Sequence, residues 1–166
     1  MKSRIALTSL AATLLLGSAT AALAENHHTC STSRVAGDWG YTKTGTLVLP
    51  TGAVPFASVG RFSLDDDGAL SGTNDGNVGG RVSKDVLKGT VAVGADCTGT
   101  ATIEVYDTSG NILRTLTMGL VFVDDARGAR GIVTSLVLPN GASLPSIITA
   151  DVRRLTGIPG IPRRNW

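Results

Sequence analysis

Between residues 37 and 155, apolar side chains recur at every second position in one short segment after another, and seldom at the spacing of an amphipathic helix. The clearest case is Leu87–Asp107, LKGTVAVGADCTGTATIEVYD. In its first arm Val91 and Val93 alternate with Lys88, Thr90 and Ala92. In its second, Ala101, Ile103 and Val105 alternate with Thr98, Thr100, Thr102 and Glu104. A period of two marks a sheet with one buried face. Gly94, Asp96 and Gly99 cluster where the chain must reverse, so this stretch predicts a hairpin with Cys97 on the apolar parity close to the turn.

The pattern extends in both directions. Trp39, Tyr41, Leu47 and Leu49 share a parity in Gly37–Leu49, as do Phe56, Phe62 and Leu64 in Phe56–Leu64, with Arg61 on the opposite parity. Asp65-Asp66-Asp67-Gly68 reads as a solvated hairpin turn. A calcium-loop frame with Gly68 at its sixth position would need Ser63 and Asn74 as its first and last ligands, which breaks the ligand pattern. Ser71–Gly80, SGTNDGNVGG, is too polar and glycine-rich for an ordinary buried strand, and predicts either a bent, bulged strand or a mobile rim loop. Asn111–Val123 is the most apolar run, with Ile112, Leu116, Met118, Leu120 and Phe122 on one parity and Leu113, Val121 and Val123 on the other. Arg114 falls on the first parity, where a charge must reach a rim, a partner carboxylate or a bound anion; a rim position is expected. Ala129–Leu138 shows Ile132, Leu136 and Leu138 on one side and Val133 and Val137 on the other, and Ile147–Leu155 closes the series.

About eight strands at regular spacing predict an all-β chain forming a single antiparallel barrel, with a β-sandwich as the alternative. A barrel leaves no open sheet edge. The expected organisation is a signal peptide at 1–24, a polar segment at 25–36, the barrel at 37–155 and a proline-rich tail at 156–166, TGIPGIPRRNW.

Residues 1–24 carry Lys2 and Arg4 ahead of an apolar run that ends Ala22-Leu23-Ala24, a small-x-small cleavage pattern. The run is too short for a membrane-spanning helix, which needs about 20 apolar residues. Cleavage after Ala24 predicts a secreted protein, extracellular or periplasmic, with no membrane insertion. It also changes the charge balance. Of 15 basic residues two leave with the leader, so 13 then face 13 acidic ones and no electrostatic case for nucleic acid remains. Removing 24 of 166 residues leaves 142, enough for one domain with one core.

Cys30 and Cys97 are the two cysteines. In an exported chain two cysteines are expected to pair, tying the N-terminal segment to the central hairpin across a long loop. No cofactor is expected, and no metal. One metal candidate stands apart: with Glu25 as the new N-terminus, Glu25-Asn26-His27 would offer an amine, two amides and an imidazole to a square-planar Cu(II) or Ni(II). A polar tail in which His27 and His28 are incidental is the expected reading.

Gly37-Asp38-Trp39 at the start of the first strand resembles the G-x-W signature of the calycin barrels, the lipocalins and avidins. That resemblance implies an eight-stranded barrel with Trp39 closing one end, and an arginine near the last strand packed over its ring, a part open to Arg153 or Arg154. The second lipocalin motif, T-D-Y before a late hairpin, is absent. The layout is also similar to the allene-oxide-cyclase and dirigent type of barrel, with no matching catalytic motif.

No histidine lies within 37–155, and no nucleophile elbow or phosphate-binding glycine loop is present. The expected function is a non-catalytic barrel that binds a small apolar ligand or serves as a surface interaction module. The alternative is a cyclase- or isomerase-type enzyme in which a shaped apolar interior folds a flexible hydrophobic substrate, with Tyr41, Lys43, Glu104 and Arg114 as the catalytic candidates.

Overall fold

The computed structural model describes residues 29–156. The predicted leader at 1–24, His27 and the residues beyond 156 lie outside the described residues.

A single turn of helix, α1 (Thr32–Val35), precedes eight strands: β1 (Gly37–Leu49), β2 (Gly52–Leu64), β3 (Ala69–Val78), β4 (Arg81–Val93), β5 (Thr98–Tyr106), β6 (Ile112–Val123), β7 (Gly128–Val137) and β8 (Ser146–Arg154). Each strand pairs antiparallel with the next, and β8 returns to pair with β1, so the sheet closes into a barrel. The β1–β8 ladder, running from Trp39↔Arg154 to Leu47↔Ser146, excludes the sandwich alternative. The predicted parities place the core: Trp39, Leu64, Leu87, Val105, Leu116 and Ile148 are all buried inside.

The up-and-down order sorts the connections between two ends. The turns at 65–68, 94–97 and 124–127 lie at the end where β1 begins, together with α1. The opposite end, the mouth, carries the connections at 50–51, 79–80, 107–111 and 138–145. The expected disulfide is present: Cys30 is bonded to Cys97, which sits in the β4–β5 turn with φ of 63°. It straps the N-terminal segment across the floor of the barrel.

The structure corrects two features of the parity reading. Residues 69–78 form a full strand and not a rim loop. The inner face of that strand is small because a neighbour fills the space: a Cβ added at Gly72 would lie 2.7 Å from the Cβ of Phe62. In β7, Thr117 pairs with Ser135 and Met118 with Val133, so Thr134 is the extra residue of a β-bulge. The bulge flips the parity. Val133 and Leu136 both become buried, whereas Ile132 turns out to solvent.

The bulge also opens a seam. Pairing of β7 with β8 stops at Ile132↔Thr149, although both strands continue toward the mouth. The 138–145 segment fills the gap, with Leu144 N donating to Leu136 O at 2.8 Å and Val48 N to Pro145 O at 2.8 Å.

Candidate functional site

The floor is a closed plug. Trp39 is 1% exposed; its ring stacks on Phe62, meets Phe122 edge-on, and its indole Nε1 donates to Val35 O at 2.9 Å. Arg154 lies across the ladder from Trp39, with its guanidinium carbon 5.2 Å from the ring centroid. From there Arg154 Nη2 donates to the carbonyls of Arg34 and Ala36 at 2.9 and 2.6 Å. Of the two arginines offered by the sequence, Arg154 therefore takes the place over the ring. Arg153 is on the outside, paired with Asp124 and Asp151.

Above the floor, the inner wall carries a belt of polar side chains. Tyr41 Oη donates to Asn74 Oδ1 at 2.8 Å, and Asn74 Nδ2 donates to Asp85 Oδ2 at 3.0 Å. Arg114 Nη2 reaches the same Asp85 oxygen at 3.0 Å. Arg114, near the mouth end of β6, is thus not left to solvent alone. It answers a carboxylate whose side chain is 1% exposed. The Tyr41 ring lies over a bare stretch of β2, where a Cβ at Gly60 would fall 2.6 Å from Tyr41 Oη. Glycine there is what lets the tyrosine lie flat enough to reach Asn74.

Lys43 is 5% exposed, with Nζ 5.0 Å from the centroid of the Tyr41 ring. Burial, reinforced by the nearby charge of Arg114 and opposed by Asp85, pushes its amine down to about 8. Burial and the negative charge of Asp85 hold the Tyr41 phenol protonated far into the alkaline range. Two belt atoms have no hydrogen-bond partner: Asp85 Oδ1 and Ser58 Oγ. Ser58 is the residue opposite Lys43 in the β1–β2 register.

Two cavities meet at Lys43. A lower one of about 50 Å³ lies against Trp39, Phe62 and Met118 and is almost wholly apolar. An upper one of about 140 Å³ sits at the mouth, bounded by Phe56, Leu116 and Leu136, with Arg114 at one side and Leu138 and Leu144 from the seam segment at another. The upper volume is close to the roughly 150 Å³ that admits benzene in an apolar protein cavity.

No protein-family model matches the chain, and no curated protein does. Among solved structures, it is similar to EF1p2_mFAP2b, determined bound to DFHBI. The TM-score is 0.52 at 14% sequence identity, over 75% of this chain and 100% of that one. At that identity the likeness is one of fold.

Three of the four catalytic candidates, Tyr41, Lys43 and Arg114, converge on the inner wall. Glu104 does not join them. It lies on the outer face, opposite Lys88, where its Oε2 accepts from Tyr106 Oη at 2.5 Å. The sequence reading missed Ser58, Asn74 and Asp85. A signal for Asp85 was present, because it shares the parity of Leu87 and Val91; extending that strand upstream by two residues would have put a carboxylate on the apolar face. Among the described residues no cluster of three or more metal-ligating side chains occurs.

Proposed function

We propose that this protein is an exported barrel of calycin type that binds a small apolar ligand without transforming it. The observation that carries this reading is the upper cavity: a mostly apolar chamber of about 140 Å³ at the mouth, with Lys43 and Arg114 of the polar belt in its wall. Such a site takes the body of a ligand by burial and orients one polar group of it. A barrel of similar fold determined with DFHBI supports it. The calycin kinship rests on Trp39 and Arg154 at the floor, and export rests on the leader-like 1–24 and the disulfide.

The test is a fluorescence titration with N-phenyl-1-naphthylamine, an uncharged apolar probe. Saturable binding that is lost in Leu116→Trp, which fills the upper cavity, is the expected result. Binding unaffected by the filled cavity would remove the mouth as the site.

A second reading, a cyclase- or isomerase-type enzyme, is favoured by the convergence of Tyr41, Lys43 and Arg114 with Asp85 on one wall. It predicts turnover of a flexible unsaturated substrate that falls in Tyr41→Phe while binding is retained; equal turnover in both forms would exclude it.

A further inference from the structure

The inner wall holds one cation that the barrel leaves unanswered. Lys43 Nζ has no hydrogen-bond acceptor and no carboxylate partner among the described residues; its one close polar engagement is with the face of the Tyr41 ring. A buried ammonium without a partner is costly. Arg114, by contrast, is paired directly with the Asp85 carboxylate. Lys43 also borders both cavities, so any molecule entering from the mouth and reaching down the barrel meets its amine.

We propose that Lys43 is a covalent anchor, whose amine condenses with the carbonyl of a small apolar aldehyde entering from the mouth to hold it as an imine. The proposal rests on the ligand-binding reading above and names the chemical class of the ligand. The nitrogen lone pair attacks the carbonyl carbon, a carbon–nitrogen bond forms, and an amine proton passes to the oxygen to give a carbinolamine. The hydroxyl then leaves as water with the remaining amine proton, and the C=N bond is made. No oxidant or reductant enters.

Several features of the site suit this step. Burial lowers the amine to about 8, so at physiological pH a far larger fraction carries the free lone pair than on a surface lysine. Ser58, across the β1–β2 register from Lys43, has a buried hydroxyl without a hydrogen-bond partner, one polar group near the anchor that the fold itself leaves unused. Asp85, whose charge already acts on Lys43, favours the protonated imine over the neutral one. The walls of the lower cavity are almost wholly apolar and offer nothing to hold the water that would hydrolyse the product. The size of the upper cavity fits an aldehyde built on a single ring.

Benzaldehyde with sodium cyanoborohydride near neutral pH, followed by peptide mapping of the mature chain, tests it. The expected result is benzylation of Lys43 about tenfold above that of the exposed Lys84 and Lys88, as for a lysine activated by desolvation. Benzyl alcohol, which has the same ring and no carbonyl, is measured in parallel by ligand-observed NMR. Lys43→Arg and Lys43→Met should both lose trapping at this position, while labelling of Lys84 and Lys88 stays as in the wild-type chain. If the alcohol binds but Lys43 is labelled no more than the surface lysines, the imine is wrong and the ligand-binding reading stands. If neither probe engages the barrel, both fall.

Discussion

Arg154 holds its guanidinium 5.2 Å from the Trp39 ring centroid and, from the same position, donates to the carbonyls of Arg34 and Ala36. One side chain thereby covers the buried tryptophan and fastens the N-terminal segment over the floor. Arg154→Ala removes a cation–π contact and two charged hydrogen bonds, and should cost about 2–4 kcal/mol in urea unfolding. Arg153→Ala, on the exposed side of the same strand, should change stability by less than about 0.5 kcal/mol. Equal losses in the two variants would show that the contact over the ring contributes nothing special.

The floor was legible because its marks are local: a tryptophan opening the first strand, an arginine pair in the last, and two cysteines in a chain whose sequence predicts export. The count of strands was legible for the same reason, since alternation and turn residues survive in any sheet with one buried face. The belt was not. Asn74 and Asp85 sit on strands whose inner faces are glycine and polar, and a hydrophobic pattern does not report a position filled by a neighbour's ring, as Gly60 is by Tyr41. Val133 was grouped apart from Leu136, with which it shares the inner face, because the bulge at Thr134 changes the period by one residue, and that shift depends on pairing with β6.

The Arg114–Asp85 pair lies deep enough that its two halves should not behave alike. Arg114→Met leaves the Asp85 carboxylate buried, with only Asn74 donating to it, and should cost about 3–5 kcal/mol. Replacing both residues with apolar ones of similar size should recover much of that loss, because no charge then remains in the wall. Chemical denaturation of the single and double variants measures the coupling. A double variant as unstable as the sum of the singles would show that the pair is not coupled.

Lys43 makes stability depend on pH in a defined window. Its amine sits at about 8 in the folded barrel and at 10.5 in an exposed chain. Between those values the unfolded state binds the extra proton, so stability rises with pH through this range and the cost of burying the charge is fully present below it. The span corresponds to roughly 3 kcal/mol. Tyr41 acts in the opposite sense: its phenol stays protonated in the barrel, so the stability it contributes is present below pH 10 and is lost above it as the unfolded chain ionises. The gain from Lys43 is therefore best read between about pH 8 and pH 10. Urea unfolding should show the wild-type chain gaining on Lys43→Met as pH rises through this window, with the variant the more stable at neutral pH. Parallel pH profiles for the two proteins would mean that Lys43 keeps an ordinary affinity for its proton.

The Cys30–Cys97 bridge closes a loop of 67 residues in sequence separation, which in a chain-entropy model stabilises the fold by about 4 kcal/mol. Its structural effect should be narrower than that figure suggests. On the native side, the bridge holds the residues before β1, where Val35 is fully buried and its carbonyl accepts from the Trp39 indole. The barrel closes through the β1–β8 ladder, which contains neither cysteine. Reduction should therefore raise amide exchange in residues 30–36 and around the 94–97 turn, while the amides of β1 and β8 stay protected and the midpoint of global unfolding falls. Hydrogen exchange followed by mass spectrometry, on oxidised and reduced protein below the unfolding transition, separates the two regions. Loss of protection in β1 and β8 together with the N-terminal segment would show that the strap is part of barrel closure and not a cover laid over a barrel already closed.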